Sequence, residues 1–157
     1  MAERFIDNEN GTISDTKYKL MWTKEDSYLM RGRWCNWKGA NKFVAWLNEQ
    51  KFGGHDDWRL PKNQECRNLY DHDSKNMDFN GDIVHLDFIF PEGCGSTYWC
   101  QEDNGINAMA YNFYSDRGYL IRKTAKDESF MSARAVRGTG KAKVANRVSA
   151  TGRSRRE

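Results

Sequence analysis

In RFIDNENGTISDTKYKLMW, residues 4–22, apolar and polar positions alternate or β-forming residues cluster on both sides of a polar turn. Asn8 to Gly11 make that turn, and Gly11 supplies the positive φ a tight reversal often needs, so the run predicts a β-hairpin. KEDSYLMRGR, residues 24–33, reads as a polar loop. In WCNWKGANKFVAWLNEQ, residues 34–50, Trp37, Ala40, Phe43 or Val44, and Leu47 recur at helical spacing. Asn36 is a suitable cap, and the helix is expected to end before Gly53-Gly54. Leu60-Pro61 forces an extended bend into a second helix that carries Glu65, Leu69 and Tyr70. Residues 71–97 are polar, contain glycine and lack a period, which predicts a long excursion with short strands. TYWCQ, NAMAYNFYS and GYLIRK read as strands separated by DNG and DRG turns, and MSARAVRG as a closing strand. After Gly138 no apolar stripe remains.

Composition narrows the picture. A chain of 157 residues suits one domain. Six Trp, seven Tyr and eight Phe against only 38% hydrophobic residues suggest a small fold in which a few large rings fill the centre. No apolar run approaches the roughly 20 residues that span a bilayer. The N-terminus, MAERFIDNENG, has no apolar signal core, so a cytoplasmic location is expected, or an extracellular one if a signal has been removed. By the same reasoning Cys35, Cys66, Cys94 and Cys100 are expected as thiols, with two disulfides as the oxidising alternative. They form no CxxC pair, and the GCGSTYWC spacing is too long for a usual zinc knuckle. The net charge of +3 is unevenly spread. Residues 138–157 hold six Lys or Arg and one Glu, a tail of +5, which leaves −2 on the other 137 residues.

The most concentrated polar stretch is HDDWRLPKNQE, residues 55–65. Catalysis there would need a base beside a nucleophile or metal, and His55 has no second ligand at a defined spacing. The stretch reads instead as a structural corner. Trp58 is buried, Arg59 ties irregular carbonyls and a carboxylate together, Pro61 aims the helix, and Glu65 lies in its first turn. Asp56 or Asp57 is a candidate partner for Arg59 or a candidate cap for a turn.

Taken in order, RFIDNENGTISDTKYKLMW, WKGANKFVAWLN, GGHDDWRLPKNQE, FPEG, TYWC and SARAVRG resemble the Lcl C-terminal domain family, from about Arg4 to Arg137. The GG-x-x-D-W-R-L-P run is the most specific piece. The resemblance implies an α+β domain over residues 1–137 that looks like the C-type-lectin-like fold. It would have two helices, a small and mostly antiparallel sheet in which the two chain ends meet, and a long loop excursion. Described relatives are ligand-binding modules, some of them adhesins for sulfated glycans, with no chemistry generally attributed to them. The chain departs from the family at Lys62, where a Thr usually makes a capping box with Glu65. The cap is then expected from Asn63 or elsewhere.

Three further groups are candidates for contact with a ligand. NMDFNGDIVHLD, residues 76–87, approaches the oxygen spacing of a calcium loop through Asn76, Asp78, Asn80, Asp82 and Asp87, with Gly81 at the sixth position. Its competing reading is a polar loop with an Asn-Gly turn. Trp99, Tyr111, Tyr114 and Tyr119 in the late strands offer rings for a sugar or a protein interface, although most such rings belong to a core. In the tail, Lys141, Lys143, Arg147, Arg153, Arg155 and Arg156 suit docking on an acidic protein surface better than on nucleic acid, since no aromatic residue is interleaved for base stacking. The alternative is a solvated end. Cys94 and Cys100 show no adjacent basic group that would activate a thiolate. The expectation is a non-catalytic module that binds a glycan or a protein. The alternative is a small accessory subunit of a larger intracellular or viral assembly, anchored by the tail.

Overall fold

A computed structural model of the chain describes residues 3–124 and 130–138. The N-terminal alternation closes as expected, with β1 (Phe5–Asp7) antiparallel to β2 (Thr12–Asp15) and Ile6 opposite Ser14. β2 in turn pairs with β3 (Leu20–Thr23). The far edge of β3 is taken by the last strand, β10 (Val136–Gly138), so the first and last strands share one sheet in the order β1-β2-β3-β10. Arg4 clamps the Asp15 carboxylate with two hydrogen bonds of 2.9–3.0 Å and also donates to the Asn68 carbonyl.

The loop expected over residues 24–33 contains a helix, so the described residues hold three α-helices rather than two. Asp26 caps α1 (Ser27–Arg31) by accepting from the Leu29 amide at 2.9 Å. Gly32 ends it in the left-handed region at φ 73°, where a side chain would be strained. One capped turn is too short to display a period, which is why the pattern did not reveal it. α2 (Trp37–Glu49) begins at its expected cap, Asn36, and buries Ala40, Phe43, Val44 and Leu47. These side chains pack on Trp58, Leu60, Trp99 and a floor of Ala108, Ala110, Ala133 and Ala135. Small floor residues allow the helix to approach the sheet closely.

The 55–65 stretch is a corner. Trp58 is buried, its indole donates to the Phe52 carbonyl, and Asn48 bridges both its amide and its carbonyl. Arg59 holds Glu65 through two bonds of 2.8 Å and the Gly138 carbonyl through a third. Its backbone exchanges hydrogen bonds with Val136 of β10. The cap of α3 (Asn63–Leu69) comes from carboxylates: Glu65 accepts from the Lys62 amide, and Glu102 accepts from that of Asn63. Asn63 itself does not cap.

The excursion contains a small hairpin, β4 (Asn76–Met77) with β5 (Ile83–Val84). β6 (Thr97–Asp103), β7 (Asn107–Asn112) and β8 (Arg117–Arg122) then form an antiparallel meander. The expected closing strand is split. β9 (Met131–Ser132) pairs parallel with β6, and after a short crossover through Ala133–Ala135 the chain enters the first sheet as β10. The fold is α+β, and among the described residues β6–β9 is a parallel pairing in otherwise antiparallel sheets.

Candidate functional site

The junction of α1, β6 and β9 is organised by a carboxylate. Asp26 is completely buried, yet it meets four donors: the Leu29 amide on one oxygen, and on the other the Gly95 amide (2.8 Å), the Ser132 hydroxyl (2.9 Å) and the Tyr98 hydroxyl (3.0 Å). The Tyr98 oxygen accepts from Arg134, itself only 2% exposed. Arg134 also donates to the Thr23 and Lys24 carbonyls and to the Cys94 sulfur, and its guanidinium lies over the Phe90 ring. The negative and positive charges are thus joined through one phenol. Burial pushes the Tyr98 hydroxyl far above its ordinary range, with Asp26 adding to it, so it stays protonated and donates. Burial also raises the Cys94 thiol despite the opposing Arg134 charge, and its proton goes to the Pro91 carbonyl.

This network supports a surface. Ser27, the first residue of α1, accepts from the Ala133 amide and contacts the Ser132 hydroxyl at 3.1 Å. The loop from Gly32 to Asn36 is pinned beneath by the Cys35 amide on the Met131 carbonyl and by the Trp99 indole on the Cys35 carbonyl. Between the end of α1 and the start of α2 lies a pocket of about 300 Å³. Ser27 and Cys35 line it, Trp34 forms a wall, and Asn36 and Gly39 bring in the first turn of α2. Arg31, Arg33 and Lys42 surround it, all exposed, and no carboxylate is among its lining residues. Among the described residues none of these three cations is in an ion pair. Arg31 lies 5.3 Å from the centre of the Trp46 ring. Such a site can hold a negatively charged group against an aromatic wall.

Trp34 also centres a cluster of four rings. It stacks on Tyr28 at 3.9 Å and meets Phe79 and Phe130 edge-on at 4.6 and 5.6 Å. Phe130 is half exposed and held at φ 58°, a strained conformation for a bulky residue, while its ring stacks on Phe79. Gly95 passes directly under the cluster. A Cβ there would come within 3.1 Å of the Trp34 ring and 3.0 Å of Ser132.

The aromatic surface expected on the late strands takes a different form. Trp99 and Tyr111 are core residues with no exposed area, because both faces of β6 from Thr97 to Cys100 and most of β7 are covered. Tyr111 donates to Asp116. Tyr119 is half-buried, and only Tyr114, 61% exposed, stands in solvent. In the 76–87 segment the polar side chains are turned onto backbone. Asn76 bonds the Phe90 carbonyl and the Met77 amide, Asp78 accepts from the Asn80 and Asp82 amides, and Asp87 accepts from the Ile89 amide. Asn80 and Asp82 contact each other at 3.3 Å. Among the described residues no three His, Cys, Asp or Glu side chains gather where a metal ion could be held. The expected partner of Arg59 is also corrected: Glu65 fills that role, and Asp57 pairs with Arg137. Lys141, Lys143, Arg147, Arg153, Arg155 and Arg156 lie outside the described residues.

Sequence reasoning did not single out Arg31, Arg33, Lys42 or the four-ring cluster. The available signal was the RGRW run, in which two arginines flank a glycine suited to end a helix. A family model, the Lcl C-terminal domain, matches residues 11–137. No curated protein matches the chain. No helix among the described residues is long and apolar enough to cross a membrane.

Proposed function

The chain belongs to the Lcl C-terminal domain family, and on that premise we propose that it is a non-catalytic binding module with a C-type-lectin-like fold whose ligand is anionic. The observation that carries this reading is the pocket between α1 and α2, where Arg31, Arg33 and Lys42 converge beside Trp34 without a lining carboxylate. Cations left unpaired around a concavity attract an anion more strongly than the same charges on an open surface. Trp34, held in place by Tyr28, lines the pocket and gives an apolar part of a ligand a surface to rest against while its charged substituent meets the guanidinium groups. The shared sheet of first and last strands and the long excursion before β6 support the lectin-like reading.

The test is calorimetric titration of the full chain with a sulfated oligosaccharide and with its desulfated counterpart at two salt concentrations. Binding of the sulfated form is expected to weaken at least tenfold in R31A/R33A/K42A and to weaken further as salt rises. The basic tail is the competing source of affinity. Binding that survives the pocket substitutions and vanishes when the six tail cations are neutralised would overturn the assignment.

A second reading, an accessory subunit of a larger assembly, is favoured by the exposed edge of the four-ring cluster at Phe130 and by Phe88, which is 83% exposed. Large rings left in solvent are common anchors of protein interfaces. A stoichiometric partner purified with the native protein, and lost in F130S, would support this reading over the first.

A further inference from the structure

The four cysteines are not equivalent. Cys66 on α3 and Cys100 on β6 are buried, and their sulfurs face each other at 3.9 Å, each being the other's side-chain partner. Both backbones are fixed. The Cys66 amide is bonded within the first turn of its helix, and the Cys100 carbonyl accepts from the Trp37 indole at 3.0 Å. Cys94 is engaged elsewhere, between the Pro91 carbonyl and Arg134. Cys35 lines the pocket and contacts Ser27 at 3.8 Å.

We propose that Cys66 and Cys100 form the protein's one disulfide when the chain folds in an oxidising environment, closing the 71–97 excursion with a staple between α3 and β6. At 3.9 Å the sulfurs are already in contact, and rotation about the side-chain bonds of both residues is the motion that closes them to bonding distance. The chemistry requires an external disulfide, such as glutathione disulfide, as oxidant. One protein thiolate attacks a sulfur of the oxidant and releases one thiol. The second protein thiolate then attacks the resulting mixed disulfide, forming the Cys66–Cys100 bond and releasing the second thiol. Two electrons pass to the oxidant, and the two protein thiol protons end on its two thiol products. Burial raises the Cys66 thiol far above its ordinary range, so in the folded protein Cys66 is protonated, and both sulfurs are buried out of reach of the oxidant. The bond is therefore made during folding, or through opening of α3.

The experiment refolds the full reduced chain in mixtures of glutathione and glutathione disulfide. It then traps remaining thiols with N-ethylmaleimide under denaturing conditions and maps the products by mass spectrometry. The expected species carries two maleimides, at Cys35 and Cys94, and one cross-link joining the peptides of Cys66 and Cys100. Its melting midpoint should lie roughly 10 °C above that of the reduced protein and fall back with reductant. Four maleimides at every glutathione ratio, or a cross-link through Cys35 or Cys94, would overturn the proposal. C66A/C100A should lose the response to reductant, but the mapping on the unaltered chain decides without it.

Discussion

Asp26 is the residue on which the pocket side of the molecule most depends, because its buried carboxylate accepts from four donors on separate elements. Asp26→Asn keeps the shape and removes this capacity. Whichever way the amide is turned, its NH₂ faces either the capped Leu29 amide or the trio of Gly95, Tyr98 and Ser132. A donor facing donors in a buried site, with Arg134 left without its counter-charge, is expected to cost roughly 2–4 kcal/mol. Urea unfolding of D26N measures it, and a loss below about 1 kcal/mol would mean that the network is not what holds α1 in place. Trp99 and Tyr111 teach the complementary lesson. Strand alternation says that neighbouring residues face opposite ways, but only tertiary packing says whether both faces are covered. In β6, Thr97 to Cys100 are buried without alternation, so no reading of spacing could separate core rings from surface rings.

At the scale of elements, the corner shows which ion pairs matter. Arg59 and Glu65 share two hydrogen bonds, Glu65 is almost completely buried, and the same guanidinium reaches the end of β10. Arg59→Ala strands that carboxylate and should cost about 2–3 kcal/mol. Asp57 pairs with Arg137 in solvent, and D57A should change stability by less than about 0.5 kcal/mol. Equal losses in the two variants, read from parallel denaturation curves, would contradict the distinction. The β4–β5 hairpin yields a second comparison. Asp78 is buried and holds the Asn80 and Asp82 amides, so D78A should lower the melting midpoint, while added calcium should leave that of the unaltered chain unchanged. A calcium-dependent rise would show that these carboxylates can exchange amides for an ion. The N-terminal hairpin, α2 and the DWRLP corner were legible because turn chemistry, helical period and proline geometry act over a few neighbouring residues. The pocket was not, since Arg31, Arg33 and Lys42 converge only after α1 forms, and one short capped helix leaves little trace in a pattern.

The whole molecule integrates these terms in its response to pH. Asp7, Asp57 and Asp103 are held below the ordinary carboxylate value of 3.8 mainly by hydrogen bonds from Lys24, Arg137 and Lys123, and Asp71 by one from Ser74. Lowered acids stabilise the fold above the unfolded value and lose that contribution as pH falls through their folded values. All four are solvated, so the acid limb should be shallow. The alkaline limb has a different origin. Burial raises the Cys66 and Cys94 thiols and the Tyr98 and Tyr111 hydroxyls, whose ordinary values are 9.0 for the thiols and 10.0 for the phenols. The unfolded chain begins to release these protons near those values while the fold retains them. Stability is therefore complete below about pH 8 and falls above it, by up to about 1.4 kcal/mol per pH unit for each such group. A melting profile of the reduced protein should be flat between about pH 5 and 8 and drop more steeply on the alkaline side. Oxidation gives the sharper test, because a Cys66–Cys100 bond removes the raised Cys66 thiol and leaves the Cys94 thiol and the phenols. In the oxidised protein the alkaline fall should keep its onset and be shallower than in the reduced one, by up to about 1.4 kcal/mol per pH unit. Identical slopes in the two forms would mean that the Cys66 proton is not retained by the fold, and that the pair is less buried in solution than its place between α3 and β6 requires.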